Sequence, residues 1–154
     1  MKGNAALVDT LNSLLKGEVT AINQYMLHTE MCDDWGYGKL AASLKDRAIT
    51  EMRHAERLIE RILFLEGTPV VSSVGEIIVG KDVPAQVEND LALELDTVRA
   101  YNEAIALAAE VPDFATRDIL AVILADEDGH VDALEELQDQ MEQMTLPVFL
   151  STKA

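Results

Sequence analysis

Glu51-Met52-Arg53-His54 and Glu127-Asp128-Gly129-His130 decide the reading of this chain. Each is a Glu-x-x-His. At that spacing on a helix a carboxylate and an imidazole lie on one face a turn apart, so each stretch offers two ligands to one ion. A single match means little in so acidic a sequence. Repetition carries the signal: Glu18 precedes Glu51 by 33 residues, and Glu94 precedes Glu127 by the same 33. Adding 76 takes Glu18, Glu51 and His54 to Glu94, Glu127 and His130, and Tyr25 to Tyr101. This is an internal pseudo-repeat of a helical hairpin. It collects hard carboxylate oxygens and two imidazoles, a set that suits iron, manganese or zinc.

The 154 residues fit one domain, spanning 1–154, with a substantial core. The chain is 49% apolar, has only four Pro and is rich in Leu, Ala and Glu, which predicts an all-helical globule. With 28 acidic and 12 basic side chains, its formal charge is −16. Nucleic acid is excluded as a partner, since it demands a basic footprint. An acidic shell instead concentrates cations through its long-range field. The one cysteine, Cys32, allows no internal disulfide and is compatible with a reducing compartment. Residues 1–8 carry no basic region followed by a long apolar run, and no stretch approaches membrane-spanning length. The expectation is a cytoplasmic protein.

Apolar residues at Leu7, Leu11, Leu14, Leu15, Ile22, Tyr25 and Met26 predict a first helix over about 4–32. Turn chemistry at Asp33-Asp34-Trp35-Gly36-Tyr37-Gly38 precedes a second helix over about 38–65, which Glu66-Gly67 and Pro69 stop. In an antiparallel hairpin, residues equidistant from the turn lie level. Glu18 and Glu51 are equidistant from the Asp34–Trp35 bond, and Glu94 and Glu127 from the Glu110–Val111 bond. Both hairpins therefore bring their carboxylates to one height. The intervening segment, 66–82, has too little amphipathic pattern for a helix. A helix of about 28 residues is roughly 42 Å long, and about 17 extended residues reach roughly 56 Å. The segment can cross the whole bundle and start the third helix beside the start of the second. Asp82 and Pro84 open that helix, over about 83–110, and Asp113 caps a fourth over about 114–144. The apolar end, about 146–152, reads as a short fifth helix buried in an oligomer contact or as a frayed end. One long crossover between two short-looped hairpins, closed by a short C-terminal helix, is the topology of a ferritin-like four-helix bundle, and the ligand list is that of its di-iron members.

The wording of the sequence resembles the bacterioferritins over essentially its whole length. The likeness rests on Glu18-Val19-Thr20-Ala21-Ile22-Asn23-Gln24-Tyr25, Glu51-Met52-Arg53-His54-Ala55, the stretch Glu60 to Gly67, Asp90 to Leu95 and Asp126 to Glu135. The resemblance implies iron storage and detoxification by a ferroxidase. Ferrous iron would be oxidised by dioxygen or peroxide at an intrasubunit di-iron site and kept as ferric mineral inside a shell of 24 subunits built from two-fold dimers. The site implied is Glu18, Glu51, His54, Glu94, Glu127 and His130, holding two iron ions per subunit, with Glu51 and Glu127 as bridges. Also implied are a haem b shared between two subunits, ligated by Met52 from each, and a ferredoxin or reductase partner for iron release. Helix geometry agrees that Met52 faces away from the metals, at roughly 130° from the centre of their face.

Tyr25 matches a tyrosine the family keeps near its iron, where it donates an electron or a hydrogen bond; for it and for Tyr101, core packing is the competing role. His28 has no Glu three residues before it and is assigned no metal. Metal-bound imidazoles usually donate their second N–H to a carboxylate or carbonyl. Asp126 is placed to orient His54 and, less firmly, Thr50 to orient His130. Many bacterioferritins have Asp at both places. Lys45, Asp46 and Ala133 also depart from the family's common Tyr, His and Trp, which puts in doubt any electron route or accessory inner iron site built on those side chains. Two competing readings are a haem-carrying structural shell subunit that relies on a partner chain for oxidation and a small di-iron oxidase without a shell. Six ligands argue against the first, because buried carboxylates without a metal cost several kcal/mol to desolvate. Met52 and the lack of an appended electron-transfer domain argue against the second.

Overall fold

In the computed structural model, which describes residues 1–154, four long helices and one short one carry the chain. They are α1 (Ala5–Asp34), α2 (Gly38–Phe64), α3 (Val83–Glu110), α4 (Phe114–Met144) and α5 (Leu146–Ser151). Helix starts follow their capping residues. Asn4 Oδ1 accepts from Leu7 N–H, Asp82 Oδ1 from Ala85 N–H and Asp113 Oδ1 from Thr116 N–H, each satisfying a donor that the first turn leaves orphaned. The α1 terminus is closed by Gly36 at φ +87°, with Tyr37 N–H reaching back to Cys32 O and Gly36 N–H to Asp33 O.

Two hairpins, α1 with α2 and α3 with α4, pack together chiefly through α1 and α3. The core is split. At one end Leu11, Leu15, Leu58, Ile62, Tyr101, Leu120 and Ile123 form an apolar cluster. At the other, Tyr25, Leu40, Leu44, Val87, Leu134 and Phe149 form a second. Between them lies a buried polar layer containing Glu18, Glu51, His54, Glu94 and Glu127. The end of the chain forms the expected short fifth helix and is not frayed. α5 folds back so that Phe149 is fully buried among side chains of its own subunit, and Lys39 N–H donates to Lys153 O. No helix is long and apolar enough to cross a membrane.

The crossover has no regular structure, and α1 supplies its hydrogen bonds. Asn12 binds Thr68 O and Val70 N–H, Thr20 Oγ1 accepts from Gly75 N–H, Gln24 Oε1 from Ile78 N–H and His28 Nε2 from Gly80 N–H. Each step of four residues advances about 40° around a helix, so these residues trace a stripe that winds around α1, and the crossover follows it. At Gly80 a Cβ would stand 2.2 Å from Gln86 N, so only glycine passes the start of α3.

The α2 terminus assigns its two turn residues differently from the expectation that glycine takes the left-handed position. Glu66 has φ 59°, while Gly67 N–H closes onto Ile62 O. Gly67 is needed for space, because a Cβ there would meet Val8 Cγ1 at 2.6 Å. A left-handed non-glycine residue costs about 1–2 kcal/mol, and crowding a packed core about 1–3 kcal/mol. Glu66→Gly should therefore raise the urea midpoint by the equivalent of about 1 kcal/mol, and Gly67→Ala should lower it by about 1–3 kcal/mol. Equal effects of the two substitutions would contradict this division of roles.

Candidate metal centre

Each long helix sends carboxylates into the middle layer: Glu18 from α1, Glu51 with His54 from α2, Glu94 from α3, Glu127 with His130 from α4. They converge into two groups. Ligand atoms of Glu18, Glu51, His54 and Glu127 lie within 4.8 Å of one another, as do those of Glu51, Glu94, Glu127 and His130. Glu51 and Glu127 belong to both, and their oxygens divide between the two halves. Glu51 Oε2 is 3.0 Å and Glu127 Oε1 3.0 Å from His54 Nδ1. Glu51 Oε1 is 2.9 Å and Glu127 Oε2 3.0 Å from His130 Nδ1. Glu18 Oε1 stands 3.7 Å from His54 Nδ1, and Glu94 Oε1 3.4 Å from His130 Nδ1. The halves are related by the same 76-residue shift that relates their sequences.

Packing four carboxylates together out of water is costly, and the protonation states show it. Burial, with the charge of Glu51, pushes Glu18 up to about 8, and burial raises Glu94 as well. Burial also acts against the charge on His54 and His130, but the surrounding carboxylates outweigh it. They hold His130 up at about 11 and His54 higher still. Burial alone would raise Glu127; its bonds to His130 and His54 bring it below the ordinary value. The imidazoliums thus stand in for cations. They do not complete the task, because Glu18 Oε2 and Glu94 Oε2 are buried without a hydrogen-bond partner. Two divalent ions would neutralise four carboxylates with both histidines neutral, and would give each orphaned oxygen a ligand. The donor set therefore fits two hard or borderline divalent metals.

Around this set, Asp126 Oδ2 lies 2.8 Å from His54 Nε2 and fixes that ring. Thr50 plays no such part. Its hydroxyl donates to Asp46 O on its own helix, as threonines within helices often do, and His130 Nε2 is left without a partner. Both rings border a hollow of about 570 Å³ lined also by Thr50, Arg53, Arg57 and Asp126. Tyr25 O–H donates to Glu94 Oε1 and Tyr101 O–H to Glu18 Oε1, so each phenol binds the terminal carboxylate of the opposite half. His28 is buried and bonded to Asp90 and Gly80 N–H, away from the six. Buried Arg47 and Asp90, close to Tyr25, had gone unrecognised as functional neighbours. For Asp90 the available signal was a carboxylate on an apolar helix face; for Arg47 a cation seven residues before His54, two helical turns away, was the only clue.

Met52 lies on the outside of α2, 46% exposed, in an apolar hollow with Ile22, Met26, Ala48 and Ile49. Lys45 lines the same hollow.

A four-helix bundle with two such ligand sets is a di-metal carboxylate protein, and the model of the ferritin-like domain matches residues 8–144. The chain is 42% identical to a bacterioferritin of Rhodobacter capsulatus, over 88% of its own length and 84% of that protein's. It is 40% identical to a bacterial ferritin of Synechocystis, over 99% of each chain, and 38% identical to a bacterioferritin of Mycobacterium tuberculosis, over 94% and 91%. The chain belongs to the bacterioferritin family.

Two outcomes follow for the metal-free protein. Glu18 protonates near pH 8 when folded against 4.5 ordinarily, and His130 near 11 against 6.5. The folded state thus holds more protons than the unfolded one, and stability should fall as pH rises from about 5 to 9. Urea midpoints taken across that range should show the slope, and loading with a divalent ion, which displaces the protons, should flatten it. Asp126→Ala should weaken metal binding about 10-fold or more, whereas Thr50→Ala should leave it within about 2-fold; equal losses in titrations would contradict the asymmetry.

Proposed function

We propose that this chain, working as one ferritin-like unit over residues 1–154, oxidises ferrous iron and stores the ferric product. It is a ferroxidase, and iron is both its substrate and its cargo. The observation that carries this reading is the pair of ligand sets sharing Glu51 and Glu127. Glu18 with His54 holds one ferrous ion and Glu94 with His130 the other, while Glu51 and Glu127 present one oxygen to each and keep the two close. Each ion gives up one electron to dioxygen or peroxide. Hard carboxylate oxygens favour the ferric state over the ferrous, so the ligands themselves pull the reaction forward. The phenol hydrogen bonds from Tyr25 and Tyr101 hold the terminal carboxylates in place. Orphaned carboxylate oxygens weigh against a purely structural subunit, which would gain nothing from burying them.

The same proposal extends to the assembly. Met52 would hold a haem b between two copies, with Ile22, Met26 and Ile49 as apolar walls. Bound there, a haem would supply electron transfer to the store, and ligation by the Met52 thioether would keep its potential high. Two-fold dimers of this kind would build a cytoplasmic shell of 24 copies, from which a ferredoxin or reductase draws iron.

An anaerobic ferrous titration followed by oxygen tests the reading. Fast oxidation should saturate near two irons per chain and fall by at least about 100-fold in the Glu18→Ala, Glu127→Ala double variant, the scale of losing groups that act as a unit. Slow oxidation equal in both proteins would refute it. Haem absorption should disappear in Met52→Leu with iron oxidation retained, and light scattering should give the mass of 24 chains.

A further inference from the structure

The two halves of the chain match at the metal centre and diverge one layer out. The 76-residue shift takes Tyr25 to Tyr101, and each phenol donates to a terminal carboxylate. The same shift takes Gln24, His28 and Arg47 to Ala100, Ala104 and Ile123, and takes Leu14 to Asp90. Beyond the carboxylate that each phenol binds, these polar residues on the Tyr25 side therefore have apolar counterparts on the Tyr101 side. Arg47 is buried, its guanidinium carbon lies 5.3 Å from the centroid of the Tyr25 ring, and one of its terminal nitrogens has no partner. Asp90 spends Oδ1 on Gln24 and His28. The Tyr101 ring packs in the cluster of Leu14, Leu15, Ala104, Leu120 and Ile123, and no cation stacks on it.

Proximity does not separate the two phenols, since each is one hydrogen bond from an iron ligand. Electrostatics does. A guanidinium over a phenol is attracted by the electron density of the ring face. Removing an electron depletes the ring face and weakens that attraction, so the contact favours the intact phenol over the phenoxyl. Tyr25 is thereby made the harder of the two to oxidise, while the apolar wall around Tyr101 shields the oxidised ring from water.

Resting on the ferroxidase reading, we propose that Tyr101, and not Tyr25, supplies the protein's electron when a centre holding one ferrous ion meets hydrogen peroxide. Peroxide takes two electrons and two protons and becomes two waters. One electron comes from the ferrous ion, which becomes ferric. The other comes from Tyr101, whose O–H bond breaks to leave a neutral phenoxyl; its proton leaves along the bond to Glu18 and serves as one of the two required, solvent providing the other. Hydroxyl radical, the product of one-electron reduction of peroxide, is avoided.

The test is to load the protein with one ferrous ion per chain, add hydrogen peroxide, freeze, and measure the phenoxyl signal by electron paramagnetic resonance, with ring-deuterated tyrosine to confirm its origin. Signal is expressed per ferrous ion oxidised, so altered iron binding does not masquerade as loss of the donor. The expected result is a signal about ten-fold weaker in Tyr101→Phe, the scale of one cation–π contact, and little changed in Tyr25→Phe. In the Tyr101→Phe background, Arg47→Met should restore it by freeing Tyr25 to compete. A signal lost in Tyr25→Phe but kept in Tyr101→Phe, a signal indifferent to both, or none in the unaltered chain overturns the assignment. No recovery with Arg47→Met overturns Arg47 as its cause. Absence of iron oxidation in the unaltered chain would overturn the ferroxidase reading itself, whereas oxidation with the radical on Tyr25 would overturn only the choice of tyrosine.

Discussion

Four carboxylates held together in the middle of a helical bundle repel one another and have lost their water, and the rest of the molecule is arranged to bear that load. The apolar core is divided because the charges occupy its centre, with one cluster around Leu11, Leu58 and Leu120 and another around Leu44, Leu134 and Phe149. Those flanking clusters supply the net stability that the middle layer withdraws. The two histidines and two phenols are the remaining polar groups that touch the carboxylates, and each donates a hydrogen bond that lowers the repulsion. Even so, two oxygens, Glu18 Oε2 and Glu94 Oε2, remain unmatched. A metal-free bundle is thus unfinished in a chemical sense, and a pair of divalent ions completes it.

The repeat that builds the centre explains its shape and also its limits. Two hairpins with the same acidic spacing give two equivalent half-sites, and Glu51 and Glu127 belong to both because α2 and α4 each bring Glu and His on one face. Equivalence ends where side chains no longer face the metals. His54 is tied to Asp126, whereas His130 has a free outer nitrogen, and Tyr25 lies under a cation whereas Tyr101 lies against isoleucine and leucine. A symmetric donor set with asymmetric surroundings would let two ions share one coordination chemistry while their neighbours treat them differently.

The bundle and the six inward residues were legible because they depend on spacing, and helical spacing survives translation from sequence to structure with little loss. The exceptions are instructive. Thr50 occupied the right turn of α2, but a threonine hydroxyl prefers the carbonyl four residues back to a ring across the bundle. Phe149 read as an oligomer contact or a loose end because the reversal at Thr145, at φ 65°, has no glycine to announce it. Asp90, Arg47 and His28 were hidden for another reason. Asp90 and His28 find their partners on other elements, and Arg47 stacks on Tyr25 of α1; such long-range contacts leave no periodic trace in the chain. Glu66 and Gly67 were recognised as a stop, but which of them adopts the left-handed backbone depends on Val8, which approaches from α1.

The crossover is held by its peptide groups, which the side chains of Asn12, Thr20, Gln24 and His28 recognise. Its own side chains at Val70, Val71, Val74, Ile78 and Val79 point largely into solvent. The instructions for its path are therefore written on α1. A segment recognised only through its main chain is free to change its composition while keeping its course, so the outer surface it forms can evolve new contacts without disturbing the bundle beneath.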